Sequence, residues 1–274
     1  MVGTENLTLQ ARLWQYNAPR TRTIRDRHRM NPTNLKYAYP GRELEAMAEA
    51  VNYRRWIFDM FRPYLGRRVV EVGAGSGLFS ELIAENHSCD VLLLVEPSES
   101  MYENLKMLAG KLKTGGRLEV MHGAFTDLAG AIRSRTTPDS IVYVNVLEHV
   151  EDDEAELETV LETLSQGGRM LIFVPALSCL YGKFDEVVGH YRRYRKADLE
   201  LKLRGAGFRI LLSKYVDLPG VIPWLVKYRL FQSSSMEAGA VRFYDRFAIP
   251  IIRQCESRLS APIGKNIIAV AEKI

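Results

Sequence analysis

Val69 to Val72 form a short apolar run with one acid in it. The run ends in "GAGSG", Gly73 to Gly77, and "LFSELIAEN" then turns helical. A strand that meets a glycine turn and then a helix predicts a nucleotide-like ligand beyond its carboxyl end. The same rhythm continues downstream. "VLLLVE", "LEVMHG", "SIVYVNVL" and "RMLIFVPA" are short and apolar, and "SESMYENLKMLAGKL", "DDEAELETVLETL" and "KADLELKLRGAG" are helical patterns among them. Strands that are apolar throughout, separated by helices, predict an α/β fold: a doubly wound, Rossmann-like parallel sheet covered on both faces. "FRILLSK" and "NIIAVAEK" flank an insert of about residues 215–262 that carries Pro219, Pro223 and Trp224. It is too long for a loop, which predicts helices that form a lid or substrate wall or rest on a membrane surface.

Upstream, "GRELEAMAEAVNYRRWIFDMF" reads as one helix. Leu44, Met47, Ala48, Val51, Phe58 and Phe61 share a face, and Pro63 and Gly66 close it. The expected division is an N-terminal arm and lid over 1–66 and a core over 67–274. Arg22, Arg25 and Arg29 would share a face if helical, as a solvated arm or a nucleic-acid clamp, although Trp14 and Tyr16 stand at a distance. The formal charge of +4 is too weak by itself to argue for nucleic acid. Three cysteines without CxxC spacing predict buried thiols in a reducing compartment. The N-terminus lacks the apolar core of a secretion signal, and no apolar run approaches the ~18 residues of a membrane span. A cytoplasmic protein is therefore expected, with peripheral membrane contact left open. No HxxxH or clustered carboxylate–histidine pattern is visible, so no metal site is expected.

The glycines narrow the ligand. Gly73, Gly75 and Gly77 give GxGxG, whereas a dinucleotide fingerprint wants its third glycine at the position of Leu78. Glu71 stands two residues before Gly73. Glu96, followed by Pro97, ends the second strand, where an acid can accept both hydroxyls of a ribose. Phe125 and Asp127 follow the third strand, placed to cover an adenine ring and to accept from its amine. "NVLEHVEDD" follows the fourth strand.

Glu71 with its GxGxG, the acid ending strand two, the acid after strand three and N-x-LEH after strand four resemble class I S-adenosylmethionine-dependent methyltransferases. The small-molecule branch, with its quinone-biosynthesis types, looks closest. The resemblance spans about 67–214 and returns at 267–273. It implies strand order 3-2-1-4-5-7-6 with the last strand antiparallel. It implies that Glu71 and Gly73, Ala74, Gly75 and Gly77 hold the methionine end, Glu96 and Pro97 the ribose, and Phe125 and Asp127 the adenine. Asn145 and Leu147 would line the cofactor. "NPTNLKYAYPGRE" resembles N-terminal lids that close over S-adenosylmethionine, with Tyr37 towards the cofactor and Tyr39 and Arg42 towards the substrate.

Methyl transfer is an in-line displacement at a sulfonium carbon, so the protein mainly aligns and desolvates. A base helps where the acceptor must lose a proton. "FDEVVGHYRRYRK" follows strand five on the ligand rim. Tyr191, Arg192, Arg193 and Tyr194 could bind an anionic group, or the arginines could pair with Asp185, Glu186 and Asp198. His190 could be the base, since an imidazole changes charge near neutral pH. Glu148 and His149 could face the substrate or merely shape a turn, and Asp127 could be a helix N-cap. The expected function is methyl transfer to a small molecule with an apolar body and an anionic head, such as a prenyl diphosphate, a lipid-linked intermediate or a natural product. The alternatives are a nucleic-acid methyltransferase, which would show NPPY-like residues at "NVLEH", an NAD(P)-dependent oxidoreductase, which would show GxGxxG and Tyr-xxx-Lys, and a regulator without catalysis.

Overall fold

The computed structural model describes residues 46–274. Within it, α1 (Val51–Phe61) leads into β1 (Arg68–Val72), α2 (Leu78–Asn86), β2 (Val91–Glu96), α3 (Glu99–Ala109), β3 (Arg117–His122) and α4 (Phe125–Arg135). Then follow β4 (Ser140–Val144), α5 (Asp153–Thr163), β5 (Arg169–Pro175), α6 (Lys183–Val188), α7 (Lys196–Gly205) and β6 (Phe208–Val216). A helical insert comes next: α8 (Val221–Trp224), a π turn (Leu225–Leu230) and α9 (Ala238–Glu256). Strand β7 (Asn266–Lys273) follows.

The seven strands form one sheet in the order β3-β2-β1-β4-β5-β7-β6. Strands β1 to β5 pair in parallel, and β7 runs antiparallel to both β5 and β6. This is the topology that the family resemblance implied. Both faces are covered. Val70, Leu93, Ile141 and Ile172 point into one apolar layer, and Val69, Leu92, Val142 and Phe173 into the other, as the period-two side-chain alternation of a strand requires. Helix α1 belongs to the second layer through Trp56, Ile57, Phe58 and Phe61. No helix among the described residues is long and apolar enough to cross a membrane.

Two expectations need correcting. The helix expected to run on to Phe61 is broken at Ala50, whose backbone leaves the helical region, and Val51 is exposed rather than buried. The cause lies on another element. The Asp245 carboxylate on α9 accepts from the backbone N–H groups of Asn52 (2.9 Å) and Tyr53 (2.8 Å), the unpaired donors of the first turn of α1. A cap supplied from 192 and 193 residues away leaves no local signature. The second correction concerns the thiols: Cys89 is buried as expected, but Cys179 and Cys255 are exposed.

Because the α1 cap comes from Asp245, Asp245→Ala should cost about 2 kcal/mol in a urea melt, with a smaller loss for Asp245→Asn, which keeps one acceptor.

Candidate functional site

The glycine turn is pinned to the end of β2. Gly73 and Ala74 both donate to the Val95 carbonyl, at 2.8 and 3.1 Å. Gly73 has φ 65°, and a Cβ there would lie 2.5 Å from Val146, so the sharp reversal after β1 requires glycine. Gly75 donates to the Glu96 Oε2 at 2.8 Å, and Ser98 donates to its Oε1 at 2.8 Å. One buried carboxylate thus fixes the turn and the start of α3 while each oxygen keeps a lone pair for a ligand. Burial pushes the Glu96 carboxyl above its ordinary range, against the hydrogen bonds from Ser98 and Gly75. Glu71 is buried behind the turn, where Ser80 Oγ donates to its Oε2 at 2.6 Å. Burial outweighs that bond and pushes Glu71 up to about 8.

Further along the rim the expected residues divide. Asn145 is exposed at the end of β4 with φ 54°, and Asp127 is exposed in the first turn of α4. Asp127 is not the N-cap, since that position is Ala124. Phe125 is buried edge-on against Tyr143, and Leu147 is wholly buried in the same layer. Both side chains pack in the core layer next to the rim, at the places from which they are expected to cover the adenine and line the cofactor. Tyr37, Tyr39 and Arg42 lie outside the described residues.

The loop after β4 and the segment after β5 meet in a histidine site. Helix α6 ends at Gly189, whose left-handed φ of 84° turns the chain back on itself. His190 therefore returns to Asp185: its N–H donates to the Asp185 carbonyl, and its Nδ1 lies 2.8 Å from the Asp185 Oδ1. Its Nε2 points towards Glu148, 3.9 Å from Oε1, too far for a hydrogen bond. The His149 ring meets the His190 ring edge-on, 4.6 Å between centroids. Burial raises Asp185, but the His190 hydrogen bond and the Arg193 charge outweigh it and hold the carboxyl low. Glu148 is completely buried, neither of its side-chain oxygens has a hydrogen-bond partner among the described residues, and burial pushes it up to about 7. Burial, with His190 nearby, drives His149 down to about 3. An imidazole held by a carboxylate at Nδ1 offers its Nε2 lone pair to a proton or a cation. Glu148, His149 and His190 each offer one ligand atom, all within 4.8 Å of one another. The expectation that no carboxylate–histidine cluster exists fails here, because spacings of 1 and 41 residues do not reveal it.

Arg192 and Arg193, which follow, are already engaged. Arg193 is buried, with its Nε 2.8 Å from Asp185 Oδ1 and its guanidinium 4.5 Å from the Trp224 ring centroid. Arg192 pairs with Asp153 at 2.8 Å. The buried Tyr194 hydroxyl donates to the same carboxylate, also at 2.8 Å. Only Tyr191 is exposed, 3.5 Å from Glu151. The anion-binding expectation for Arg192, Arg193 and Tyr194 is therefore corrected to the salt-bridge alternative: these residues build the floor of the site.

The methyltransferase domain profile matches residues 42–213, more than half of the chain, so the chain belongs to that family. It is a class I S-adenosylmethionine-dependent methyltransferase. A ubiquinone biosynthesis O-methyltransferase of Xanthomonas axonopodis pv. citri (strain 306) is 24% identical over 237 residues, 81% of this chain and 84% of that protein. An S-adenosylmethionine-dependent methyltransferase from Archaeoglobus fulgidus superposes with a TM-score of 0.52 at 18% identity, covering 85% of this chain and 94% of that one. One from Thermotoga maritima does so with 0.56 at 16% identity, covering 88% and 100%. The solved structures show the fold alone. The methyltransferase's own turn fits the cofactor: a Cβ on Gly75 would meet no atom nearer than 3.9 Å, so this side of the turn is open to a ligand. Sequence reasoning missed Ser80 as the partner of Glu71 and Asp185 as the orienter of His190. The glycine between Asp185 and His190 was the available signal.

Both Glu71 and Glu148 have folded-state pKa values above the ordinary ~4.3 of glutamate. Their contribution to stability is present at low pH and is lost as pH rises through about 7 and about 8. The melting temperature of the ligand-free methyltransferase should therefore fall between about pH 5 and pH 8. Glu71→Gln should flatten that profile and melt at least ~3 °C above the parent at the alkaline end.

Proposed function

We propose that the glycine turn, with Glu71 and Glu96, holds S-adenosylmethionine, and that the acceptor is a small molecule bearing a hydroxyl on an otherwise apolar body. When bound, the cofactor supplies a methyl group activated by a positively charged sulfur. Glu96 accepts the ribose hydroxyls on the lone pairs left by Gly75 and Ser98. Glu71, which burial keeps largely protonated without ligand, ionises against the positive methionine end and then matches its charge. His190 takes the acceptor's proton at Nε2, and Asp185 orients the ring and stabilises the resulting imidazolium. The observation that carries this reading is the 2.8 Å bond from Nδ1 to a carboxylate held in its charged form, which leaves Nε2 as the basic nitrogen. The name of the Xanthomonas relative supports an oxygen acceptor. An anionic head on the acceptor loses the support of Arg192 and Arg193, which are paired with Asp153 and Asp185.

A second reading has its own observation. The two unpartnered Glu148 oxygens would be satisfied by a divalent cation shared with His149 and His190. Chelation separates the two: activity lost with EDTA and restored by Mg²⁺ or Mn²⁺ favours the cation, and activity indifferent to EDTA favours the base.

Tritiated methyl transfer to a panel of catechols and hydroquinones of increasing alkyl length tests the first reading. His190→Ala should lower kcat by ~10²–10⁴-fold while calorimetry shows S-adenosylmethionine binding unchanged. Asp185→Asn should lower kcat and move the alkaline-rising limb of the pH profile. Glu96→Ala should instead weaken cofactor binding by about 10–100-fold. An unchanged kcat in His190→Ala would sink the base, and unchanged cofactor affinity in Glu96→Ala would sink the ribose site.

A further inference from the structure

Helix α9 is apolar on two opposite sides. Its inner side buries Ile249 and Ile252 against the core. Its outer side carries Phe243, Phe247 and Ile251, which are 68%, 55% and 66% exposed. Their spacing of four places them in one stripe along the helix. Single exposed apolar residues are ordinary, but a continuous stripe on a helix that already has a buried face marks an interaction site. The turn before α9 also exposes large apolar side chains, Phe231 at 78% and Leu230 at 67%. The two segments meet at Lys265, whose ammonium lies over the Trp224 and Tyr244 rings at 5.7 and 5.9 Å.

Charge selects the occupant. Arg242, Arg246 and Arg253 fall together along one border of the stripe by helical spacing. Arg242 pairs with Glu49 and Arg253 with Asp59, and Arg246 lies over the Phe247 ring with no ion pair among the described residues. Both acids of α9 are occupied on the inner side: Asp245 caps α1, and Glu256 accepts from the Asp217 and Leu218 N–H groups. The outer side thus presents aromatic and aliphatic groups, one border arginine, Arg246, without an ion pair among the described residues, and no carboxylate of its own helix. That composition fits an anionic lipid surface, where apolar side chains enter the headgroup boundary and arginines meet phosphate. The neighbouring segment also packs against the floor of the histidine site, since Trp224 stacks on Arg193 and Tyr228 packs on Phe184.

We propose that α9 and the turn before it dock the methyltransferase on an anionic bilayer, so that an apolar acceptor reaches the site from the lipid. The purpose assigned to docking rests on the apolar-acceptor reading above, but its test does not involve methyl transfer. The full chain is sedimented with phosphatidylcholine vesicles, with and without phosphatidylglycerol. The expected result is pelleting that increases with phosphatidylglycerol and weakens by at least ~10-fold in Phe243→Ser/Phe247→Ser. Arg246→Gln should lose ~5-fold on the anionic vesicles and nothing on the neutral ones. Calorimetric binding of S-adenosylmethionine by the variants shows that they are folded. Absence of pelleting overturns the proposal, as does undiminished pelleting of the double variant. Light scattering that finds a dimer, broken by the double variant without any vesicle preference, also overturns it and assigns the stripe to a second copy.

Discussion

A parallel sheet covered on both faces has no tolerance for polar side chains along the middle of its strands. From Met170 to Pro175 every residue of β5 is buried, and the central strands beside it are almost as enclosed. The polar groups accordingly gather where the parallel strands end. Glu71 and the glycine turn close β1, Glu96 closes β2, Glu148 follows β4, Asp185 follows β5, and Asp217 follows β6. The reversed strand β7 adds Lys265 and Asn266 to the same rim because it begins where its neighbours stop. The site is the place to which the fold displaces charge.

The buried acids fall into two kinds. Asp185 and Asp217 have firm partners. Asp185 takes His190 and Arg193, while Asp217 takes Lys265 at 2.9 Å and the Tyr244 hydroxyl at 2.6 Å. Both carboxyls are held low, because those partners outweigh burial. Among the described residues Glu71 has no cation beside it, and His190 and Arg193 near Glu148 do not outweigh its burial, so both carboxyls are pushed up. The first kind builds scaffold. The second kind leaves two carboxyls held toward their protonated form, ready to ionise against an incoming cation, one behind the glycine turn and one below the histidines. Perturbed groups of that sort cluster where ligands bind.

The sheet was legible in the sequence because its signals are local and repeated: apolar runs of strand length, helical periods between them, and one glycine turn. The positions of Glu71 and Glu96 followed from that frame. The histidine site was legible only in part. Glu148, His149 and His190 stood out as residue types, but their meeting depends on a turn at Gly189 and on the adjacency of β4 and β5. The roles given to Arg192 and Arg193 failed for a related reason. A run of arginines looks the same in sequence whether it faces a ligand or buried acids, and here Asp185 and Asp153 take the charge. The α1 cap from Asp245 and the second apolar side of α9 were equally hidden, since each depends on which side of a helix meets the core.

Strand β7 lies between β5 and β6, yet roughly fifty residues of insert separate it from β6 in the chain. Strand β6 touches the sheet only through β7, so it has no place to pair when it first emerges from the ribosome. At a synthesis rate of ~5–20 residues per second, β5 presents an open edge and β6 stays unpaired for several seconds. Unpaired, largely apolar strands are the usual nuclei of misassembly. The reversal that brings Lys265 and Asn266 to the rim therefore leaves the β5 edge and β6 without their partner until β7 has been made.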